Sequence, residues 1–364
     1  MRAIGVISGT SMDGVDVALV ETDGADRVVR GPGLSVPYAP QDRATIRAAL
    51  KDAMAAPDAA HRTPALLAAE AAVTRAHGDA VARFIAETGV TADVVGWHGQ
   101  TVAHAPARGF TMQIGDAEAL GARIGLPVVF DFRSADVAAG GEGAPLVPVY
   151  HRALARQAGL VEPVLVINLG GVANVTFVAG DTLIAFDTGP ASAMIDDAMA
   201  AVGAAYDDGG ATAARGRVDE AALAALMDDP HFARPAPKSL DRDAFSPGPV
   251  AHLSHEDRVA TLTRFSAEAV GAALRHLPAR PASAIAAGGG THNATLMAMI
   301  EVAIGLPVQP ADAVGFSSDL MEAEAFGYLA VRSLGGLPLT FPGTTGVAAP
   351  LCGGRTVRPG ARAA

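Results

Sequence analysis

Cysteine is almost absent: Cys352 stands alone in 364 residues, which excludes an internal disulfide framework and any cysteine-cluster metal site, and fits a reducing compartment. Lysine is nearly as scarce, since Lys51 and Lys238 are the only lysines among 27 basic residues. Neither stands in a Gly-Lys-Ser/Thr sequence at the head of a helix, so a Walker phosphate loop is excluded. No dinucleotide-type glycine fingerprint follows the first strand either. Net positive charge is missing as well, and a formal charge of -11 argues against non-specific binding to nucleic acid or anionic membrane. No apolar run approaches about 18 residues and Met1-Arg2-Ala3 leads directly into a strand, so the expectation is a cytoplasmic protein with no signal peptide or membrane span. What is abundant is apolar content, 50% against 18% charged, enough for sizeable cores and two domains of ordinary size.

The apolar run Ala3-Ile4-Gly5-Val6-Ile7 breaks into Ser8-Gly9-Thr10-Ser11-Met12-Asp13-Gly14-Val15-Asp16 and resumes at Val17-Ala18-Leu19-Val20. This pattern predicts a strand, a glycine- and hydroxyl-rich tip, and a returning strand. Two readings of the tip stand side by side: an ordinary tight turn, or a phosphate grip. In a grip, glycines admit an anion, successive amides converge on it, and Thr10 and Ser11 add hydroxyls, with Asp13 and Asp16 available for magnesium.

Helical spacing is expected at 41–56 and 63–88, a buried strand at 93–98, a helix at 115–125 and a strand at 127–130, with the glycine-rich stretch 137–148 read as a hinge or substrate loop. A second cycle repeats the first. Val164-Leu165-Val166-Ile167-Asn168-Leu169 ends in Gly170-Gly171 and returns as Val172 to Val178, so a duplicated α/β architecture is predicted. A third glycine-rich turn, Gly288-Gly289-Gly290-Thr291-His292-Asn293, joins a strand at 282–287 to a helix at 294–304 and suits the face or ribose of a nucleotide. Residues 232–249 read as a surface excursion near the active site or the dimer interface, without evident chemistry.

These segments resemble the anhydro-N-acetylmuramic acid kinases, members of the sugar kinase, heat-shock and actin-like ATPase superfamily. The resemblance covers nearly the whole chain and rests on GTSMDGVD (9–16), GWHGQTVAH (96–104), DFRSADVAAGGEGAPLVP (131–148), NLGGVANVT (168–176), FDTGPA (186–191), AAGGGTHN (286–293) and MEAEAFGYLA (321–330). Gly327 stands where the family pattern leads one to expect another small residue such as Ala. The resemblance implies a two-lobed, duplicated actin-like (ribonuclease H-like) α/β fold with nucleotide in the interlobe cleft: an N-terminal lobe at 1–130, a C-terminal lobe at 131–345, and a tail at 346–364 packing back on the first lobe.

It further implies ATP and magnesium as cofactors, an amino-sugar substrate, a homodimer, and opening of a 1,6-anhydro bridge by water with phosphorylation of O6. On that basis Gly9, Thr10, Ser11, Met12, Asp13, Gly14, Val15, Asp16, Asn168, Gly170, Gly171, Gly288, Gly289, Gly290 and Asn293 are expected to bind nucleotide, with Asp13 and Asp16 on the metal. Asp187 is expected to be the base that activates water, although Thr-Gly-Pro after it also fits a capping or turn aspartate. Glu322 is expected in a supporting role, ahead of Glu324. His98, Gln100, Thr101 and Arg133 are expected at the sugar. Arg133 suits an oxyanion by its planar fork, or alternatively an ion pair with Asp131 or Asp136; His98 and His104 are equally readable as structural histidines.

Overall fold

The computed structural model describes residues 1–360; the last four residues of the expected tail lie outside the described residues. Along the chain come β1 (Arg2–Ser8), β2 (Gly14–Thr22), β3 (Val28–Pro37), α1 (Pro40–Ala55), α2 (Pro64–Thr88), β4 (Val94–Ala105), β5 (Phe110–Ile114), α3 (Ala117–Ile124), β6 (Val128–Phe130), α4 (Ser134–Ala138) and α5 (Pro148–Gln157). There follow β7 (Val164–Leu169), β8 (Val172–Ala179), β9 (Thr182–Pro190), α6 (Ala193–Ala200), α7 (Ala211–Arg215), α8 (Glu220–Met227), α9 (His255–Ala273), β10 (Ser283–Ala287), α10 (Ala294–Ile304) and β11 (Val308–Pro310). The chain ends through α11 (Met321–Leu334), α12 (Pro342–Thr345) and β12 (Arg355–Val357). No described helix is long and apolar enough to cross a membrane.

The chain divides into two compact units, residues 1–157 with 320–364, and residues 158–319. In the first, the sheet runs β12-β6-β4-β1-β2-β3, with β5 on β4; in the second it runs β11-β10-β7-β8-β9. Starting from the third strand, both contain the order third, second, first, fourth, continued by β6 in the first unit and by β11 in the second. In both, the first strand pairs antiparallel with the second and parallel with the fourth. The two units are thus two copies of one α/β plan, as the repeated strand–tip–strand pattern predicts. The first core gathers Ile4, Val6, Val17, Ile46, Leu66, Phe84 and Trp97. The second unit carries one core around Leu165, Ile167, Val175, Phe186 and Ile300 and another around Met194, Leu223, Phe232 and Phe265.

The expected boundaries, 130/131 and 345/346, are displaced to 157/158 and 319/320. Residues 131–157 stay with the first unit because α5 is tied to β3: the Gln157 amide receives Val28 N–H at 2.7 Å and donates to Val28 C=O. Residues 320–334 belong there too because α11 lies directly on β1 and β4. A Cβ built on Gly5 would stand 1.7 Å from Ala323 O, and one on Gly96 would stand 2.0 Å from Phe326 O. Helix backbone and strand backbone touch at these points, and only glycine leaves room. Within the stretch 137–148, read as a hinge or substrate loop, residues 142 and 143 are held in place. Asp136 accepts Gly143 N–H at 2.6 Å and Thr345 Oγ1–H at 2.6 Å, and Glu142 N–H donates to Thr345 O at 2.7 Å.

Candidate active site

The first tip leaves β1 after Ser8 and enters β2 at Gly14. Met12 N–H closes the turn on Gly9 O at 3.2 Å, with Met12 in the left-handed region at φ 53 and its side chain buried. Thr10 and Ser11 remain exposed. Asp13 accepts Ser11 Oγ–H at 2.9 Å and Asp16 accepts Ser35 Oγ–H at 2.6 Å. The second tip is tighter: Gly170 O accepts the N–H of Ser192, while Gly171 O accepts those of Ala191 and Ala193, at 2.9 to 3.2 Å. Gly288 and Gly290 press on its base, since a Cβ on Gly288 would meet Leu169 O at 2.7 Å and one on Gly290 would meet Leu169 Cβ at 2.7 Å. Gly289 faces open space.

Gly289, Gly290 and Asn293 line a cavity of about 680 Å³ together with Ser192, Asp196 and Tyr206. Tyr206 is 62% exposed there and offers a ring face. Asn293, expected at the nucleotide, caps α10: its Oδ1 accepts Leu296 N–H at 2.9 Å. Asp207, which the sequence did not single out, accepts Thr212 and Ala213 N–H at 2.7 and 3.0 Å and so fixes the wall at 208–210.

Asp187 lies within β9, not after it. The pairing of that strand runs on to Pro190 opposite Val172. Asn174 faces Asp187 while Ala173 faces Gly189, so Thr188 is an extra residue in the ladder, a β-bulge that re-aims the neighbouring side chain. The segment 232–249, expected as a surface excursion near the active site or the dimer interface, supplies the rest of the setting together with His231 just before it. Leu240 N–H donates to Asp187 Oδ2 at 2.9 Å, Asp187 N–H donates to Lys238 O at 3.0 Å, and His231 Nε2 lies 2.9 Å from Asp187 O. The carbonyl makes that ring nitrogen the donor. His231 Nδ1 is then a buried acceptor without a partner. Lys238 is 5% exposed, donates Nζ–H to His231 O at 2.8 Å and lies 5.5 Å above the Phe186 ring; burial brings its pKa down to about 8. Burial pushes the Asp187 carboxyl up to about 6, against the pull of the Leu240 N–H. Asp187 Oδ1 has no hydrogen-bond partner among the described residues.

In the first unit, Arg133 Nε donates to His98 Nε2 at 3.0 Å and Arg133 Nη1 donates to Gly143 O at 2.7 Å. Among the described residues it forms no ion pair with Asp131 or Asp136. His98 Nε2 must therefore be the lone-pair nitrogen, and Nδ1–H donates to Gly99 O at 3.1 Å. Burial, seconded by the Arg133 charge, holds this imidazole neutral. Thr101 is partly exposed, and its Oγ1 accepts Gln113 Nε2–H at 3.2 Å. Near His98 opens a cavity of about 310 Å³ lined also by Arg62, Thr111, Gln113, Ser134 and Arg355. Gln100 departs from expectation: it is fully buried and its amide is spent within the protein, on Gly9 O, Thr101 O and the hydroxyls of Ser8 and Tyr38. It is a prop beneath the tip, not a ligand contact.

The two glutamates at the head of α11 separate cleanly. Glu324 is buried and committed, accepting Arg30 Nε–H at 2.8 Å and Tyr150 O–H at 2.9 Å. Glu322 keeps exposed surface; the protein crowded around it raises its pKa, Arg133 opposes the rise and Asp16 adds to it. Among the described residues no cluster of three or more His, Cys, Asp or Glu could hold a metal on its own. The Asp13 and Asp16 pair still fits magnesium, which typically takes one or two carboxylates and completes its shell with phosphate oxygens and water.

Two copies of one α/β unit, each headed by a glycine-rich hairpin, define the class: a duplicated α/β protein. The model of the family described as anhydro-N-acetylmuramic acid kinase matches residues 1–357, and the chain belongs to that family. Curated relatives bearing the same name include those of Rhizorhabdus wittichii, 54% identical over 365 residues and 99% of each chain, and of Methylobacterium nodulans, 50% identical over 374 residues, 99% of this chain and 100% of the other. That of Rhodopseudomonas palustris is 51% identical over 365 residues, again 99% of this chain and 100% of the other.

Proposed function

We propose that the protein phosphorylates O6 of 1,6-anhydro-N-acetylmuramic acid from ATP while water opens the anhydro bridge, giving N-acetylmuramic acid 6-phosphate and ADP in the recycling of cell-wall fragments. Asp187 carries the proposal. Its Oδ1 is without a partner, Oδ2 is held by Leu240 N–H, and a pKa near 6 leaves it mostly ionised at neutral pH yet basic enough to accept a proton. Water attacks the anomeric carbon as its proton passes to Oδ1; the C1–O6 bond breaks, and O6 takes the γ-phosphoryl group. This joins half of an inverting glycosidase to half of a kinase. In the first unit Arg133, with Nη2 outside its two bonds, suits the lactyl carboxylate or a transferring phosphate, His98 and Thr101 the sugar, and Glu322 a supporting charge.

The tip 9–16 supplies amides and hydroxyls to phosphate, Gly170 and Gly171 do the same in the second unit, and the cavity beside Gly289 takes the adenosine. When bound at Asp13 and Asp16, magnesium would neutralise phosphate charge. A cytoplasmic homodimer completes the reading, and sedimentation of the purified protein tests the dimer. The reaction itself is tested in ¹⁸O-labelled water: label at the anomeric hydroxyl, formed at the rate of phosphorylation, supports coupled opening. A phosphorylated product that still contains the bridge refutes it.

A further inference from the structure

Five side chains form one buried hydrogen-bonded line across the first unit. Trp97 Nε1–H, which can only donate, reaches His77 Nδ1 at 2.7 Å. His77 Nδ1 is therefore the acceptor, and its Nε2–H points to Tyr38 Oη at 2.7 Å. Tyr38 O–H then turns to Gln100 Oε1 at 3.3 Å, where Ser8 Oγ–H also arrives at 2.7 Å. The line ends where Gln100 Nε2–H meets Gly9 O at 3.0 Å. His77 and Gln100 are fully buried and Trp97 and Ser8 nearly so. Each polar hydrogen has one available direction, because a donor-only indole starts the line and a carbonyl ends it. Burial holds His77 at a pKa of about 3, so it stays neutral at any working pH.

The line finishes on the first peptide of the hairpin tip. In a trans peptide the C=O and the following N–H point opposite ways, so drawing Gly9 C=O inward to Gln100 turns Thr10 N–H outward. Tyr38 grips the far side of the tip as well, its backbone N–H donating to Asp13 O at 3.0 Å. A plain core would fill this space with apolar side chains. A directed polar line ending on one carbonyl is what orientation of a loop requires.

We propose that Trp97, His77, Tyr38 and Gln100 act as positioning residues that aim the amides of the 9–13 tip at the phosphates of ATP. The proposal rests on the reading of that tip as the phosphate grip. Tyr38→Phe removes one hydroxyl and keeps the ring; His77→Leu removes both ring nitrogens, and His77→Gln restores a donor toward Tyr38. The expected result is a rise of about five- to tenfold in Kd for a non-hydrolysable ATP analogue in Tyr38→Phe and His77→Leu, the scale of one lost hydrogen bond. KM for the sugar should stay constant, and His77→Gln should recover most of the loss. Trp97, the chain's only tryptophan, reports directly: analogue binding should shift its emission in the parent protein and much less in Tyr38→Phe. Unchanged analogue affinity in Tyr38→Phe and His77→Leu, or analogue and sugar affinities falling together, overturns the proposal. Thr10→Pro, which removes the outward N–H of the tip itself, separates the two levels. Weaker analogue binding in Thr10→Pro with none in the relay variants sinks the relay alone, whereas full affinity in Thr10→Pro removes the amide grip and the proposal with it.

Discussion

The β1-β2-β3 and β7-β8-β9 meanders share order and pairing, yet each is specialised at a different place. The first makes a long excursion between the paired residues Ile7 and Asp16; the second turns tightly between Leu169 and Ala173. Besides Tyr38 N–H on Asp13 O, the first tip is held by side chains, Gln100 on Gly9 O and Arg43 on Ser11 O at 3.1 Å, whereas the second is held by the backbone amides of 191–193. On the third strand, the tip pair leads to Ser35 opposite Asp16 in the first meander and to Gly189 opposite Ala173 in the second; one pair further back, Leu34 faces Val17 and packs against the core, while Asp187 faces Asn174 beside a bulge and is held through the 231–240 segment. The bulge of the first meander lies between Ala18 and Val20, away from the tip. Topology supplies the same address twice; the local irregularity sets Asp187 apart from Leu34.

The largest expected effect breaks the comparison at its foundation. Counting back from the tip pairs, Gly5 corresponds to Ile167, and α11 presses on the first while the second packs its side chain in a core. Gly5→Val should yield no folded protein, because a backbone oxygen 1.7 Å from the new Cβ cannot relax without displacing α11. Ile167→Ala should cost only about 2–5 kcal/mol. Thermal unfolding of both variants checks the contrast, and a stably folded Gly5→Val would show that α11 does not seat as described.

Next in size is Asp187→Asn, which should lower kcat by about 10²–10⁴ while analogue binding holds. The sign of the pH dependence follows from the raised carboxyl: the base is the ionised form, so kcat should climb as pH rises through about 6 and level off above it. Lys238→Met should act more gently, by about tenfold in kcat, because it frees His231 O and loosens the segment that delivers Leu240 N–H. That N–H lowers the Asp187 pKa, so its loss should also move the acid limb upward. A profile of unchanged midpoint in Lys238→Met would show that Lys238 does not govern the Leu240 contact.

The duplicated plan was legible in the sequence because it is local: apolar β-branched runs broken by glycine announce a hairpin wherever they occur. Asp187 was legible as a strand-associated acid, and as a base only through resemblance. The bulge at Thr188 was hidden because register is a property of two strands and leaves no mark on one. His231, Lys238 and Leu240 were missed because contacts spanning 44 to 53 residues are made by the fold. Gln100 was misread for the opposite reason. An amide in a polar segment looks available until its four hydrogen-bond partners are seen inside the protein. Glu322 was placed ahead of Glu324 from the sequence, but what separates the two in the fold, Arg30 and Tyr150 binding only the second, is a matter of long-range contacts.

The smallest effect sharpens the comparison most. Ser35→Ala removes one donor from Asp16 and should weaken magnesium-dependent ATP binding by a few-fold, since a single neutral donor to a carboxylate contributes about 1–2 kcal/mol at most. Leu34→Asp goes further and asks whether address alone makes a base, since Leu34 faces Val17 one pair back from the tip as Asp187 faces Asn174. It sets a carboxylate where an apolar side chain packs against the core, at a cost in stability. It also lacks the bulge and the amide from Leu240. Placed in the Asp187→Asn background, it should restore no bridge opening, measured as label from ¹⁸O water at the anomeric carbon. Recovery of even a hundredth of the parent rate would mean that the strand position, and not the bulge with its 231–240 support, is what makes Asp187 a base.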